Sequence, residues 1–278
     1  MTITTRDQLI DALGNNSSRF IIDKASIPNA VAGGYFSLWR ATGQPGQGAI
    51  PTTTASCNHT TIGSMGFAQQ VSPAASYGCW ANAVCSNNAV TIEVHDRLRH
   101  MGGLNATLTT AQTVALTLNG ITADNMERRI GDANFSDVQW WAEWYTDTGA
   151  TASNATVTVT YNDGTTGNLT TFAAGGTVRA GRMIPLNQLI PAAASGKYIR
   201  SIDSVQLSAS TATAGNFGFT CTRPRLTMPL LLANKMEIFD WAQLGFPEIF
   251  NSSCLTIIEL CSTTSTGTVR GGGKIIHG

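Results

Sequence analysis

The chain has 278 residues with 17 basic and 17 acidic side chains, so its formal net charge is zero. This balance argues against a nucleic-acid binder, which carries a basic face, and no apolar run approaches the roughly 20 residues of a membrane-spanning helix. Charged residues make up only 12% of the chain, about half of the roughly 25% typical of soluble domains, which favours a subunit whose surface is covered by neighbours.

The first predicted element is a short helix near the N-terminus. Thr4 or Thr5 can cap this helix, and Gly14 ends it. The apolar residues Leu9, Ile10 and Leu13 share one helical face. The same region lacks a basic segment followed by an apolar core, so it does not have the pattern of a signal peptide. We therefore expect no export by the general secretory route.

Residues 26–90 show no sustained periodicity. Glycine and proline interrupt them repeatedly, for example at 32–34 and 43–48. A long irregular stretch is unusual inside a compact domain unless it is functional or lies on another molecule. We therefore predict that residues 1–90 comprise the N-terminal helix and an extended, loop-rich arm that contains short strands such as 35–39.

From residue 91 onwards, apolar and polar residues alternate as they do in half-buried strands. The sequence Asn162-Asp163-Gly164 between two such segments predicts a tight hairpin, because these residue types tolerate positive φ angles. Short strands at intervals of roughly ten residues, separated by Gly, Asn and Ser, are typical of sandwiches. We predict an all-β fold, an antiparallel, jelly-roll-like β-sandwich over residues 91–278.

An aromatic strand at residues 138–145 contains Trp140, Trp141 and Trp144. Aromatic rings stack on sugar rings, so these three side chains are candidate glycan-stacking platforms. Strand alternation also places Trp140 and Trp144 on the face opposite to Trp141, and packing in the core explains at least one of them equally well. Burial of all three tryptophans would exclude the glycan interpretation.

Other residues that could suggest chemistry do not form a convincing catalytic or metal site. Glu143 and Asp147 lie about 13 Å apart if they share one strand, which is too far for the paired carboxylates of a glycosidase. His95 and His100 are separated by four residues, a spacing that zinc sites allow, but no matching pair of cysteines accompanies them. We expect the protein to have no enzymatic activity, no cofactor and no metal.

The cysteines leave two interpretations open. A chain of this length does not need disulfides to stabilise its core, so buried free thiols are one interpretation. Cys79 and Cys85 flank a loop-like segment and are a candidate local disulfide, which is the other. The full set is Cys57, Cys79, Cys85, Cys221, Cys254 and Cys261.

Several segments resemble a group of structural proteins from the virions of tailed bacteriophages. They are DSVQLSASTATAGNFGFT at 203–220, HDRLRHMGGLNATLTT at 95–110, NSSCL at 251–255 and GTVRG at 267–271. The resemblance covers the chain from about residue 90 to the C-terminus. It implies a β-sandwich present in many copies on a virion that assembles in the host cytoplasm. The implied partners are the major capsid protein or other virion proteins, and further copies of the chain itself.

These observations give two hypotheses for function. The first is a virion structural protein that decorates or cements a capsid, with an N-terminal arm that becomes ordered when it binds; a variant places it in the tail or neck. The alternative is a carbohydrate-binding tail or head-fibre module that recognises host surface glycans through the tryptophans. The first predicts an oligomer with a large, charge-poor interface.

Overall fold

The computed structural model describes residues 3–72, 74–176 and 180–278. Antiparallel sheets dominate these residues and the helices are few and short, which confirms the predicted all-β class. The helices are α1 (Arg6–Gly14), α2 (Met126–Arg129) and α3 (Trp241–Leu244). Single 3-10 turns span Leu38–Arg40, Ala123–Asn125, Asn187–Leu189 and Ala192–Ala194. The strands are, in chain order, β1 (Ser17–Lys24), β2 (Tyr35–Ser37), β3 (Gly43–Gln44), β4 (Ala55–Ser56), β5 (Ser76–Cys85), β6 (Val90–Leu104), β7 (Gln112–Thr117), β8 (Gln139–Thr146), β9 (Asn154–Tyr161), β10 (Thr166–Asn168), β11 (Phe172–Ala173), β12 (Arg182–Pro185), β13 (Ile199–Leu207), β14 (Asn216–Leu230), β15 (Glu237–Phe239), β16 (Glu248–Ile249), β17 (Leu255–Leu260) and β18 (Val269–His277).

The predicted N-terminal helix is confirmed. The Oγ1 atom of Thr5 accepts a hydrogen bond from the backbone N–H of Gln8, and the Gln8 side chain accepts one from the backbone N–H of Thr5. This reciprocal capping box satisfies two N–H groups that a helix start leaves without partners. Within the described part of the chain, no helix is both long enough and apolar enough to cross a membrane.

The chain forms two compact units, and neither corresponds to the predicted division at residue 90. Unit 1 comprises Met1–Gly48, Asn58–Asp96 and Pro224–Gly278, and unit 2 comprises Ala49–Cys57 and Arg97–Arg223. The boundaries fall within β6 and β14, so each of these long strands contributes residues to both units.

Unit 1 contains a sheet with the strand order β15-β5-β18-β1-β3, in which β16 also pairs with β5. In β1, Phe20 and Ile22 are buried whereas Ile21 is exposed, as expected for alternation between two faces. The strands β2, β17 and the first part of β6 form a second set of pairs in this unit. Its core includes Phe20, Ile22, Val94 and Ile257.

The irregular part of the N-terminal region is shorter than we predicted. Each residue of β1 pairs with β18, from Ser17 opposite Ile276 to Lys24 opposite Val269, and β5 lies on the other side of β18. These two strands therefore belong to the sheet of unit 1 and not to an arm, because their alternating apolar residues pack into its core. Between them lie only short elements, β2, β3, β4 and one 3-10 turn.

Unit 2 contains a sheet with the order β10-β9-β13-β7, in which β11 also pairs with β9. The predicted hairpin joins β9 to β10: Gly164 has a φ angle of 86°, and its N–H donates to the carbonyl of Tyr161. Val157 and Val159 point into the core, and the intervening threonines point away from it. In the same unit, β8 pairs with β12 and with the first part of β14.

Candidate functional site

The three tryptophans that we considered as glycan platforms are all buried in unit 2. The indole N–H of Trp140 donates to the carbonyl of Ile199 at 2.8 Å. That of Trp141 donates to the hydroxyl of Thr222 at 2.9 Å. The ring of Trp144 packs in the core. Since no face of these rings is open to solvent, the glycan interpretation is wrong for Trp140, Trp141 and Trp144.

Glu143, which lies between these tryptophans, belongs to a buried ionic network. Arg97 donates from Nη1 to Glu143 Oε1 at 3.2 Å and from Nη2 to Oε2 at 2.6 Å. The hydroxyls of Tyr145 and Thr220 also donate to Oε2 of Glu143, and the Nε of Arg97 donates to Nδ1 of His100 at 3.0 Å. Such a bidentate pair, with its remaining positions hydrogen-bonded, meets the condition for burying two opposite charges.

The electrostatics of this network favour the charged form of Arg97 and the neutral form of Tyr145. Burial lowers the pKa of Arg97, whereas Glu143, Tyr145 and Cys57 together raise it by more. Burial, reinforced by Glu143, also raises the pKa of the Tyr145 hydroxyl well above its usual value. The Oδ1 atom of Asp147 accepts the backbone N–H of Ala180 at 2.7 Å. Because the Arg97–Glu143 pair is buried and hydrogen-bonded, removing either partner would destabilise the fold.

The histidines and cysteines of the described residues form no metal site. His95 lies 2.8 Å from Glu93, and these residues contain no cluster of three or more side chains that could hold a metal ion. The cysteines are all buried thiols. Cys79 and Cys85 both lie on β5, six positions apart, which corresponds to about 20 Å along an extended strand. The local disulfide is therefore wrong, because the segment between them is a strand and not a loop.

A surface feature of unit 1 is the strongest candidate for a functional site. Five large apolar side chains within eleven residues are exposed to solvent, and Leu231 and Ile238 are 71% and 61% exposed. We call this set the apolar edge; it consists of Leu231, Leu232, Met236, Ile238 and Trp241. Soluble proteins seldom expose large apolar residues in such a concentration unless a partner covers them.

The apolar edge follows the end of β14 and includes an edge strand. Ile238 is in β15, which pairs with β5 through Ile238 opposite Asn82. In the order of the described sheet, β15 is the first strand, so only one of its sides is paired. An edge strand presents backbone N–H and C=O groups to solvent and is a ready template for contact with another chain.

The backbone of the apolar edge is held in place by the rest of unit 1. The N–H of Asn234 donates to the carbonyl of Cys85 at 2.7 Å, and the carbonyl of Leu231 accepts from the N–H of Ala89 at 3.2 Å. The ring of Trp241 stacks on Phe246 with centroids 5.6 Å apart. A surface that is already ordered loses little conformational entropy when a partner covers it.

A further exposed apolar residue, Ile21, lies on the same outer face of the sheet as Ile238. Ile238 lies opposite Asn82, Asn82 opposite Gly272, and Gly272 opposite Ile21. Because directly opposite residues share a face, Ile238 and Ile21 lie on the same outer surface, about 14 Å apart across three strand spacings. Ile21 is 66% exposed.

Two ion pairs lie next to this surface. Lys235 lies 3.3 Å from Glu237, and Arg270 lies 3.1 Å from Asp23. Ion pairs at exposed positions contribute little stability. The large exposed side chains themselves are apolar, and they fit an apolar protein surface better than a phosphate backbone.

Our sequence analysis did not single out the segment around Leu231 and therefore missed the apolar edge. A signal was present. Leu231 and Leu232 are adjacent, and in a strand adjacent side chains point to opposite faces, so both cannot enter one core. The polar segment Ala-Asn-Lys at 233–235 then indicates that the chain leaves the core at this point.

The fold and this surface define an all-β protein with antiparallel sheets and an exposed apolar edge. No family model matches the chain. No curated protein matches it either. One solved structure that matches is a mutant of VP2 from infectious bursal disease virus, in derived T=1 particles. Its sequence is 11% identical, the match covers 94% of this chain and 76% of that chain, and the TM-score is 0.16. The VP2 subviral particle of the same virus is 11% identical over 94% of this chain and 79% of that chain, again at a TM-score of 0.16. Likeness at this TM-score does not bear on function.

Proposed function

We propose that this chain is a structural protein of a virus particle, which it joins in many copies through apolar contacts. The observation that carries the proposal is the apolar edge of unit 1, a preordered surface with paired charges beside it. A surface of this kind is suited to contact with another protein. The low charged fraction of 12% agrees with a subunit that is largely covered by neighbours.

The strength of one such contact supports a repetitive assembly. Full burial of a Leu or Ile side chain contributes about 1.5–3 kcal/mol, so covering the apolar edge contributes on the order of 5 kcal/mol before the entropic cost of association. That is too little for a tight isolated dimer. It is sufficient when each subunit makes several linked contacts in a shell or tube, because each further contact forms at a high effective concentration.

Within this class, we propose decoration of the capsid of a tailed bacteriophage as the particular role. The resemblance of residues 95–110 and 203–220 to virion proteins of such phages supports this choice. The partners would be the major capsid protein or other virion proteins, together with further copies of the chain, and assembly would take place in the host cytoplasm. The role needs no catalytic activity.

The decisive experiment is mass spectrometry of gradient-purified particles, with the copy number measured against the major capsid protein. Hundreds of copies per particle support decoration of the capsid, and a dozen or fewer support a position in the neck or tail. Absence of the chain from the particles would refute the proposal.

A matched pair of variants tests whether the apolar edge makes the contact. Ile238→Ser removes an exposed side chain of the edge, and Ile62→Ser removes one with similar exposure, 68%, elsewhere in unit 1. We expect the first variant to be depleted from particles while both remain folded by circular dichroism. Equal incorporation of the two variants would show that another surface makes the contact.

A further inference from the structure

Glu259 is a buried acid with no charged partner for its carboxyl group. It lies on β17, its side chain is completely buried, and the one donor to its carboxyl group is the weakly polar thiol of Cys261. No lysine, arginine or histidine of the described residues forms an ion pair with it. Buried carboxyl groups are normally paired or hydrogen-bonded, so this arrangement calls for a reason.

The surroundings of Glu259 are apolar. It lies opposite Phe36 on β2 and opposite Ile92 on β6, and both of these side chains are completely buried. Strand alternation places its side chain on the same face as Leu255 and Ile257, which belong to the core of unit 1. A carboxylate in this position would be separated from both water and positive charge.

The titratable groups nearby do not compensate for a negative charge. Cys85 on β5 faces the same core, and burial raises its pKa to about 11, with Glu259 adding to the increase. The thiol of Cys261, which follows β17, is a weak donor and is the one group that favours the ionised form of Glu259. Three further titratable residues pair with positions 260, 258 and 256 of β17, whose side chains point away from that of Glu259. They are, in the same order, Tyr35, Glu93 and His95, so all three lie on the opposite face of the strands.

We propose that Glu259 is a proton-dependent switch in the core of unit 1, closed while the carboxyl group is protonated and opened when the proton leaves. A neutral carboxyl group is compatible with the pairing of β17 to β2 and β6. An isolated carboxylate in the same position is not, and the least costly response is to open the strand pairs and admit water. The inference concerns unit 1 alone and does not depend on the proposed function.

The direction of the pH effect follows from proton linkage. Burial raises the pKa of Glu259 from its ordinary 4.5 to about 8. Between these values the folded chain binds a proton that the unfolded chain has released, so stability decreases as the pH rises. Each pH unit in this window lowers the folding equilibrium constant by about tenfold through this one group. Below pH 4.5 stability does not change with pH through this group, because both states hold the proton, and above pH 8 it stops changing, because both states have released it.

The test compares Glu259→Gln with the unmodified chain, using Glu237→Gln as a control for an acid on the surface of the same unit. Urea unfolding of the full chain is measured at several pH values between about 5 and 8. We expect the ratio of the folding constants of Glu259→Gln and the unmodified chain to rise about tenfold per pH unit. The ratio for Glu237→Gln should stay nearly constant. A constant ratio for Glu259→Gln would overturn the proposal.

A second measurement needs no variant, in case the glutamine does not fit the core. Hydrogen exchange of the unmodified chain is followed at β17 and, as an internal reference, at β9 of unit 2. After correction for the intrinsic pH dependence of exchange, we expect opening of β17 to increase at least tenfold from about pH 6 to pH 9, and opening of β9 to change much less. Equal changes in the two strands would contradict a switch at Glu259.

Discussion

Replacement of Glu143 by glutamine is expected to destabilise unit 2 strongly. In the folded chain, the guanidinium of Arg97 is completely buried and makes two hydrogen bonds to the carboxylate of Glu143. The variant keeps the shape of the side chain but removes its charge, so the charge of Arg97 remains buried without compensation. Breaking a buried pair in this way costs about 3–5 kcal/mol, which is a large part of the roughly 5–15 kcal/mol that stabilises a typical domain.

A double variant separates the cost of an orphaned charge from the intrinsic value of the pair. Arg97→Met with Glu143→Leu removes both charges and fills the space with apolar atoms. We expect the double variant to be more stable than Glu143→Gln alone, because no buried charge is left without a partner. It will remain below the unmodified chain, since the hydroxyls of Tyr145 and Thr220 lose the acceptor that they share.

Urea unfolding followed by tryptophan fluorescence measures this prediction directly, because Trp140, Trp141 and Trp144 are buried in the same unit. The effect should persist at high salt, since salt screens buried pairs much less than exposed ones. A change of less than about 1 kcal/mol for Glu143→Gln, the value expected of an exposed pair, would refute the reasoning. So would a double variant that is less stable than Glu143→Gln.

Three further predictions concern other buried positions. The amine of Lys24 donates to two backbone carbonyls, at 3.0 and 2.7 Å, and burial lowers its pKa from 10.5 to about 8. Between these two pH values only the unfolded chain keeps the proton, so the free energy of unfolding should rise with pH. Lys24→Met should remove this rise in urea unfolding. A Cβ at Gly48 would lie 2.0 Å from the ring of Trp39, so Gly48→Ala should lower stability by about 1–3 kcal/mol in thermal unfolding, whereas Gly46→Ala, with open space around it, should not. Trp144→Ala should cost about 3–5 kcal/mol, because it leaves a cavity beside Phe217, and a loss below about 1 kcal/mol would contradict the burial of this ring.

Local features of the fold could be predicted from the sequence. The capping of α1 by Thr5 and the hairpin at residues 162–164 both depend on side chains and φ angles within a few residues. The pairing of Ser17 with Ile276 joins opposite ends of the chain, and no local pattern specifies it. For this reason we assigned β1 to an arm, since three consecutive apolar residues, Phe20, Ile21 and Ile22, give no alternating pattern.

Burial depends on long-range packing in the same way. Alternation correctly separated Trp140 and Trp144 from Trp141, but it did not show that Trp141 is buried as well. The apolar edge is the opposite case. Its residues have the composition of a core segment, and the position of β15 at the edge of a sheet leaves Ile238 exposed.

Two buried glutamates show how far local sequence falls short of determining chemistry. Glu143 lies in Trp-Ala-Glu-Trp and Glu259 in Ile-Ile-Glu-Leu, so both have apolar neighbours, and both side chains are almost completely excluded from water. Glu143 is paired with Arg97, whereas no described lysine, arginine or histidine forms an ion pair with Glu259. We therefore expect the substitution by glutamine to act in opposite directions near neutral pH: at position 143 it orphans the charge of Arg97, and at position 259 it replaces a carboxyl group whose pKa burial raises to about 8. A gain in stability for Glu143→Gln would contradict the first expectation, and a Glu259→Gln ratio that does not change with pH would contradict the second.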